Sequence, residues 1–248
     1  MTKEGFPLKQ MFLSTGKEFK EIETFEPGAW IHLVIPSQEE ALKVAERFNI
    51  DIQDLRAPLD VEETSRIDVE DDYTLILVDI PTQEERNNKS YYVTIPLGII
   101  VTDEVVVTTC LENISLMDDF LNHRVRNFYT FMKTRFVFQI LYRNAQLYLT
   151  ALRSIDRQND KLEAQLENST KNEHLIDMME LEKSIVYLKA SLKMNERIVK
   201  KLTGNASSLK KYIEDEDLLE DTLVETQQAI EMAGIYENVL NAMTETSA

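Results

Sequence analysis

The second half of the chain carries an apolar repeat that leaves few folds open. Phe138, Leu141, Ala145, Tyr148, Leu152, Ile155, Asn159, Leu162 and Leu166 follow one another in steps of three and four. That is the seam of a long amphipathic helix. The stretch Asn168-Ser169-Thr170-Lys171-Asn172 breaks it. A second seam then runs through Met178, Leu181, Ile185, Leu188, Leu192, Asn195, Val199 and Leu202, closing at Gly204-Asn205. Neither stripe can be buried alone, so two such helices joined by a short polar segment predict an antiparallel hairpin. Each arm would reach roughly 45–55 Å at the α-helical rise. A third helix is expected from about Ser207-Ser208, with Leu219, Leu223, Ile230, Ala233, Tyr236, Leu240 and Met243 as its apolar positions. Met243-Thr244-Glu245-Thr246-Ser247-Ala248 offers neither Gly nor Pro as a stop, so this helix is expected to run on past Ala248.

The first half has a different period. Residues 10–26 alternate around Ser14-Thr15-Gly16-Lys17, a hairpin signal. Trp30 to Ile35 reads as a strand stopped by Pro36. Ser37-Gln38-Glu39-Glu40 is a capping box, opening a helix with Ala41, Val44, Ala45 and Phe48 on one face. A short helix follows Asp51, with Ile52 and Leu55 turned inward. Strands are expected at Arg66–Val69, Tyr73–Ile80, Tyr91–Val101 and Val105–Cys110, with the polar run Thr82–Ser90 as a loop and a closing helix near Ile114–His123. Without long helices between strands a doubly wound parallel sheet is excluded. The fold class is α+β: an N-terminal α/β/α sandwich with a largely antiparallel sheet (1–128), a long helical hairpin (129–204) and a stalk helix (205–248).

Charge narrows the function. The 248 residues carry a net charge of −17, which argues against nucleic acid, whose binding rests on Lys and Arg at phosphates. Residues 1–130 hold 12 basic and 25 acidic groups, 131–204 hold 13 and 9, and 205–248 hold 2 and 10. A basic middle between acidic ends points to segments that attract one another, or to an acidic face that meets cations. No apolar run reaches the length of a membrane span, and Met1-Thr2-Lys3-Glu4-Gly5 opens no signal peptide. The single cysteine, Cys110, fits a reducing compartment and reads as a buried thiol. Six glycines leave no phosphate loop, dinucleotide fingerprint or nucleophile elbow. His32, His123 and His174 have no metal-ligand spacing, so no enzyme active site is expected.

Five stretches together resemble the CorA family of divalent-cation transporters: Trp30-Ile31-His32-Leu33 before a helix bearing Glu39-Glu40; Asp54-Leu55-Arg56-Ala57-Pro58-Leu59-Asp60 leading into Ser65–Leu77; Pro96-Leu97-Gly98-Ile99-Ile100-Val101-Thr102; Leu181-Glu182-Lys183-Ser184; and Glu216–Asp221 with Ala229–Ala233 and Ile235-Tyr236. The family's Gly-Met-Asn pore signature is absent; in the family it follows a membrane helix that would begin just beyond Ala248. The resemblance implies a cytoplasmic domain of a membrane protein, anchored through C-terminal helices this chain lacks, and assembled as a homopentamer.

The resemblance also implies Mg²⁺-sensing sites between subunits, with Co²⁺ among the other cations handled. Aligned on the family pattern, Glu84 takes the position on the N-terminal domain, Glu85 is its neighbour, and Glu231 takes the position on the stalk. Mg²⁺ is hard and keeps most of its water, so one or two carboxylates suffice for a weak site that empties when the ion is scarce. Two rivals stand beside this reading: a zinc-transporting relative, and a soluble coiled-coil adaptor with no transport role.

Overall fold

The computed structural model describes residues 11–86, 88–165, 171–204, 209 and 212–247. Its sheet has seven strands: β1 (Met11–Thr15), β2 (Glu18–Glu21), β3 (Trp30–Val34), β4 (Arg66–Val69), β5 (Tyr73–Arg86), β6 (Lys89–Thr102) and β7 (Val106–Cys110). Their order is β2-β1-β3-β7-β6-β5-β4, and only β3 and β7 run parallel. The expected hairpin at Ser14–Lys17 is there, with Gly16 in the left-handed region at φ 60. Ser37 caps α1 (Gln38–Phe48) in a full capping box, and Asn49 ends it in the left-handed conformation. Asp51 caps α2 (Ile52–Arg56), which runs into a single 3₁₀ turn, Ala57–Leu59. Gly98 on β6 lets Pro58 of that turn lie directly on the sheet, since a Cβ there would overlap the proline ring.

The sheet buries both faces. On one, α1 and α2 cover Ile31, Leu33, Leu75, Leu77, Ile100 and Val107. On the other, α3 (Ser115–Leu121) and three long helices cover Trp30, Ile76, Val78, Leu97 and Ile99, and this core runs unbroken from Trp30 to Leu219. The long helices are α4 (Lys133–Gln165), α5 (Lys171–Thr203) and α6 (Ile213–Ser247). The seam residues from Phe138 to Asn159, and from Met178 to Leu202, are buried, while Leu162 is only partly so. Leu166, the break at Asn168–Thr170 and the expected start at Ser207-Ser208 lie outside the described residues.

Three details depart from expectation. The hairpin is part of a three-helix bundle, because α6 returns along both arms: Arg135 of α4 bonds Asp215 (3.2 Å) and Glu214 (2.7 Å), and Lys189 of α5 bonds Glu237 (2.6 Å). Second, in the described residues the helix of the third segment, α6, runs from Ile213, and the residue before it, Tyr212, is not helical. Third, Thr82–Arg86 and Lys89-Ser90, read as loop, are strands. β5 and β6 continue as a two-stranded ribbon pairing Thr82 with Val93 through to Arg86 with Lys89. One face of this ribbon is wet and the other meets Asp177 and Glu180 of α5, so both carry polar side chains and the sequence reads as polar loop.

Inside the sheet, Trp30 Nε1 donates to Thr108 Oγ1 (2.8 Å), and that hydroxyl lies 2.8 Å from His32 Nδ1. His32 is thus the satisfied core histidine its strand pattern predicts. Burial lowers its pKa to about 4, against a smaller opposing contribution from Thr108. A lowered pKa means that the unfolded chain takes up the proton first. The stability held above about 6.5, the histidine's usual pKa, is therefore lost as pH falls toward the folded value. Between about pH 7 and about pH 5 this amounts to about 2 kcal/mol. Urea titrations should show wild type losing that much more stability over this interval than His32→Gln; equal losses would contradict the buried neutral ring. Leu152, fully buried in the bundle, gives a second test. Leu152→Asp places an unpaired carboxylate there and should cost several kcal/mol, read as a large fall in melting temperature; an unchanged melt would mean that the seam is not buried.

Candidate functional site

The ribbon and the bundle carry the acids singled out by sequence. Glu84 and Glu85 lie on β5, opposite Tyr91 and Ser90 of β6, and both are exposed. Successive strand side chains point to opposite faces, so the two carboxylates do not converge on one ion. Glu84 shares its face with Arg86, whose Nε stands 3.7 Å from Glu84 Oε2. Arg86 also reaches Glu180 on α5 (3.4 Å) and stacks over Tyr91, while Lys89 pairs with Asp177 (2.6 Å). These contacts pin the ribbon tip to one level of α5.

Glu231 sits at another level. It is exposed on α6 between Gln227, which bonds Glu196, and Glu237, which bonds Lys189. From Lys189 to Glu180 alone is about 13 Å of helix rise. Within one chain, therefore, the structure does not bring Glu84 and Glu231 together. Among the described residues no group of three or more His, Cys, Asp or Glu is placed to hold a metal ion. The donors present are single, solvated carboxylates. They fit an ion that retains its water, and they do not make a closed cage.

Cys110 and His32 are turned inward, whereas His123 is exposed and His174 half-buried. Cys110 is fully buried, with burial pushing its thiol up to about 12. His32 is enclosed between the strands. Neither can reach an ion at the surface.

A polar joint that sequence reasoning missed lies where β5 passes α4 and α5. β4 ends its pairing at Arg66–Leu77, so β5 has an open edge at Asp79. Asn195 of α5 closes it: the Asp79 N–H donates to Asn195 Oδ1 (3.1 Å), and Asn195 Nδ2 donates to the Asp79 carbonyl (2.9 Å). The side-chain amide takes the place of a neighbouring strand. Asn144 Nδ2 (2.9 Å) and the Tyr148 hydroxyl (3.0 Å), both on α4, donate to the same carbonyl. Ser191 Oγ donates to Asp79 Oδ2 (2.7 Å). Burial pushes the Asp79 carboxyl above its ordinary range, with the Ser191 bond working against it. The available signal was Asn195 itself, a polar residue at a seam position, where it must find a partner or cost stability.

With that geometry in place, comparison with known proteins is decisive. The sequence profile described as "CorA-like Mg2+ transporter protein" matches residues 26–248. The chain belongs to this family. It is 26% identical over 228 residues to the cobalt/magnesium transport protein CorA of Methanocaldococcus jannaschii, covering 86% of this chain and 67% of that protein. The complete structure of the same organism's CorA magnesium transporter superposes with a TM-score of 0.82 at 21% identity, over 96% of this chain and 75% of the other. The soluble domain of that CorA gives 0.78 at 24%, over 88% and 86%. The ZntB cytoplasmic domain from Vibrio parahaemolyticus gives 0.68 at 12%, over 96% and 94%. The fold is thus that of the CorA soluble domain, and the family is one of transporters, not of enzymes. Among the described residues no helix is long and apolar enough to cross a membrane.

The Asp79 joint yields a test of its own. Asn195→Leu keeps the bulk at the seam but removes both bonds to the β5 edge, leaving a buried N–H and weakening a carbonyl's set of donors. An orphaned buried group costs about 1–3 kcal/mol. Denaturant melts should show a loss in that range, whereas a neutral or stabilising substitution would mean that the edge is satisfied some other way.

Proposed function

We propose that this chain is the cytoplasmic, Mg²⁺-responsive part of a CorA-type divalent-cation transporter, acting as one subunit of a homopentamer. The observation that carries the reading is the placement of Glu84 and Glu231: exposed, on different elements, and too far apart in one chain to share an ion. A site using both needs two copies. Self-association is supported by α6, where Val224, Ile235 and Val239 remain exposed on the helix that bears Glu231.

In this mechanism a hydrated Mg²⁺ bridges Glu84 of one subunit and Glu231 of the next. The chain's own part is to hold two carboxylates at a spacing that a hydrated ion can span. When the ion leaves, a net charge of −17 per subunit drives the acidic faces apart, and the α6 helices can splay. Arg86 beside Glu84 offsets part of that charge and keeps the site weak enough to empty. Solvated carboxylates suit Mg²⁺ better than Zn²⁺, which favours grouped imidazole and thiolate ligands; among the described residues no such group is present. The likeness to ZntB is one of fold. A cytosolic adaptor is disfavoured by the family match along 26–248.

Ion binding to the assembled state should stabilise it by mass action, on the order of 1–2 kcal/mol at tenfold excess over Kd. Glu231→Ala should lose the Mg²⁺-induced rise in melting temperature. Glu231→Lys should also lose it, while melting near the Mg²⁺-bound wild type even in chelator, because the ammonium stands in for the ion opposite Glu84. If both variants keep the full Mg²⁺ shift, the ion is held by diffuse surface charge and the assignment of Glu231 fails.

A further inference from the structure

A cavity of about 10 Å³ lies between α4, α5 and α6, lined by Asn144, Tyr148, Asn195 and Thr226 together with four apolar side chains. That is about the room one water needs. Asn144 is 3% exposed, and its Nδ2 bond to the Asp79 carbonyl fixes which way the amide faces. Its Oδ1 then has no hydrogen-bond partner among the described residues. Buried amide oxygens in native proteins are satisfied by protein or by ordered water.

The other polar groups of the cavity have capacity left over. Thr226, 3% exposed, gives its hydroxyl proton to the Thr222 carbonyl (2.7 Å), so its lone pairs can accept. Asn195 Nδ2 uses one of its two protons on the Asp79 carbonyl and has a second to give. The Tyr148 hydroxyl donates to that same carbonyl and retains acceptor capacity. Acceptors at Asn144 and Thr226, with a donor at Asn195, match the two protons and the lone pairs of a single water molecule.

We propose that this cavity binds one structural water, which donates to Asn144 Oδ1 and Thr226 Oγ1 and so ties α6 to the Asp79 joint. The consequence is mechanical. Thr226 lies little more than one turn before Glu231, and Asp79 lies five residues before Glu84. Through the water and the Asn144 amide, a shift of α6 is passed to the backbone of the strand that carries Glu84. The connection exists within one chain and needs no bound metal.

Two measurements on the full chain without metal test it, so failure here leaves the proposed function standing. A crystal structure at a resolution that shows ordered water should contain one water bonded to Asn144 Oδ1 and Thr226 Oγ1. A dry cavity, or an Asn144 amide satisfied by protein groups alone, would overturn the proposal. Amide exchange gives the second readout. Thr226→Val removes the acceptor at nearly constant shape, and should speed exchange of the Asp79 amide roughly tenfold relative to that of Ile31 in β3. Thr226→Ser, which keeps the hydroxyl, should restore the wild-type rate. Equal acceleration at both amides, no acceleration, or no rescue by serine would each overturn the coupling.

Discussion

The union of sheet and helices depends on the backbone of one strand residue. Asp79 has lost its neighbour in β4, and its N–H and C=O are taken up by Asn195, Asn144 and Tyr148 from two different helices. Apolar contact between the sheet and the helices is extensive but tolerates sliding, because hydrophobic burial has no preferred direction. Hydrogen bonds do. Four side chains converging on one residue fix the height at which α4 and α5 cross β5, and so fix where the ribbon tip meets Asp177 and Glu180. The half-buried carboxylate of Asp79, with one neutral hydroxyl donor in Ser191, costs stability at that point. The amide bonds to the backbone offset it.

That fixed height decides the functional reading. Had the ribbon crossed the bundle beside Glu231, the two acids could have formed a site within one chain. Instead the ribbon is held farther along α5, which is why the proposed site draws its two carboxylates from two subunits. Metal binding of the proposed kind would report assembly geometry.

Most of the architecture was legible because its signals are local. Ser37 and Glu40 predicted a helix start by a bond pattern four residues long. The seams from Phe138 and Met178 predicted two long helices by their three-and-four spacing, and β4 falls at Arg66–Val69 as read. What was not legible depends on contacts distant in sequence. Thr82–Arg86 and Lys89-Ser90 form strands because two polar segments pair with each other and are propped on α5 by Arg86 and Lys89. The helix of 213–247 packs against both hairpin arms through Arg135 and Lys189, pairings that no single-segment pattern encodes. Glu84, Glu85 and Glu231 came from resemblance alone, since an exposed acid among 44 carries no signal of its own. Asn195 was visible as a polar residue in an apolar seam, but its partner, Asp79, and the companions Asn144 and Ser191 were not.

The central claim, that one ion is shared by Glu84 of one subunit and Glu231 of another, is tested most directly by complementation. Glu84→Ala and Glu231→Ala proteins are prepared separately and then mixed, and the Mg²⁺-induced stabilisation of each and of the mixture is measured by thermal melts. Neither variant alone should respond. In the mixture, interfaces where a Glu231→Ala subunit supplies Glu84 and a Glu84→Ala subunit supplies Glu231 are intact, so part of the Mg²⁺ response should return. A mixture as silent as its components, or a component that responds fully alone, would contradict a site shared between neighbouring subunits.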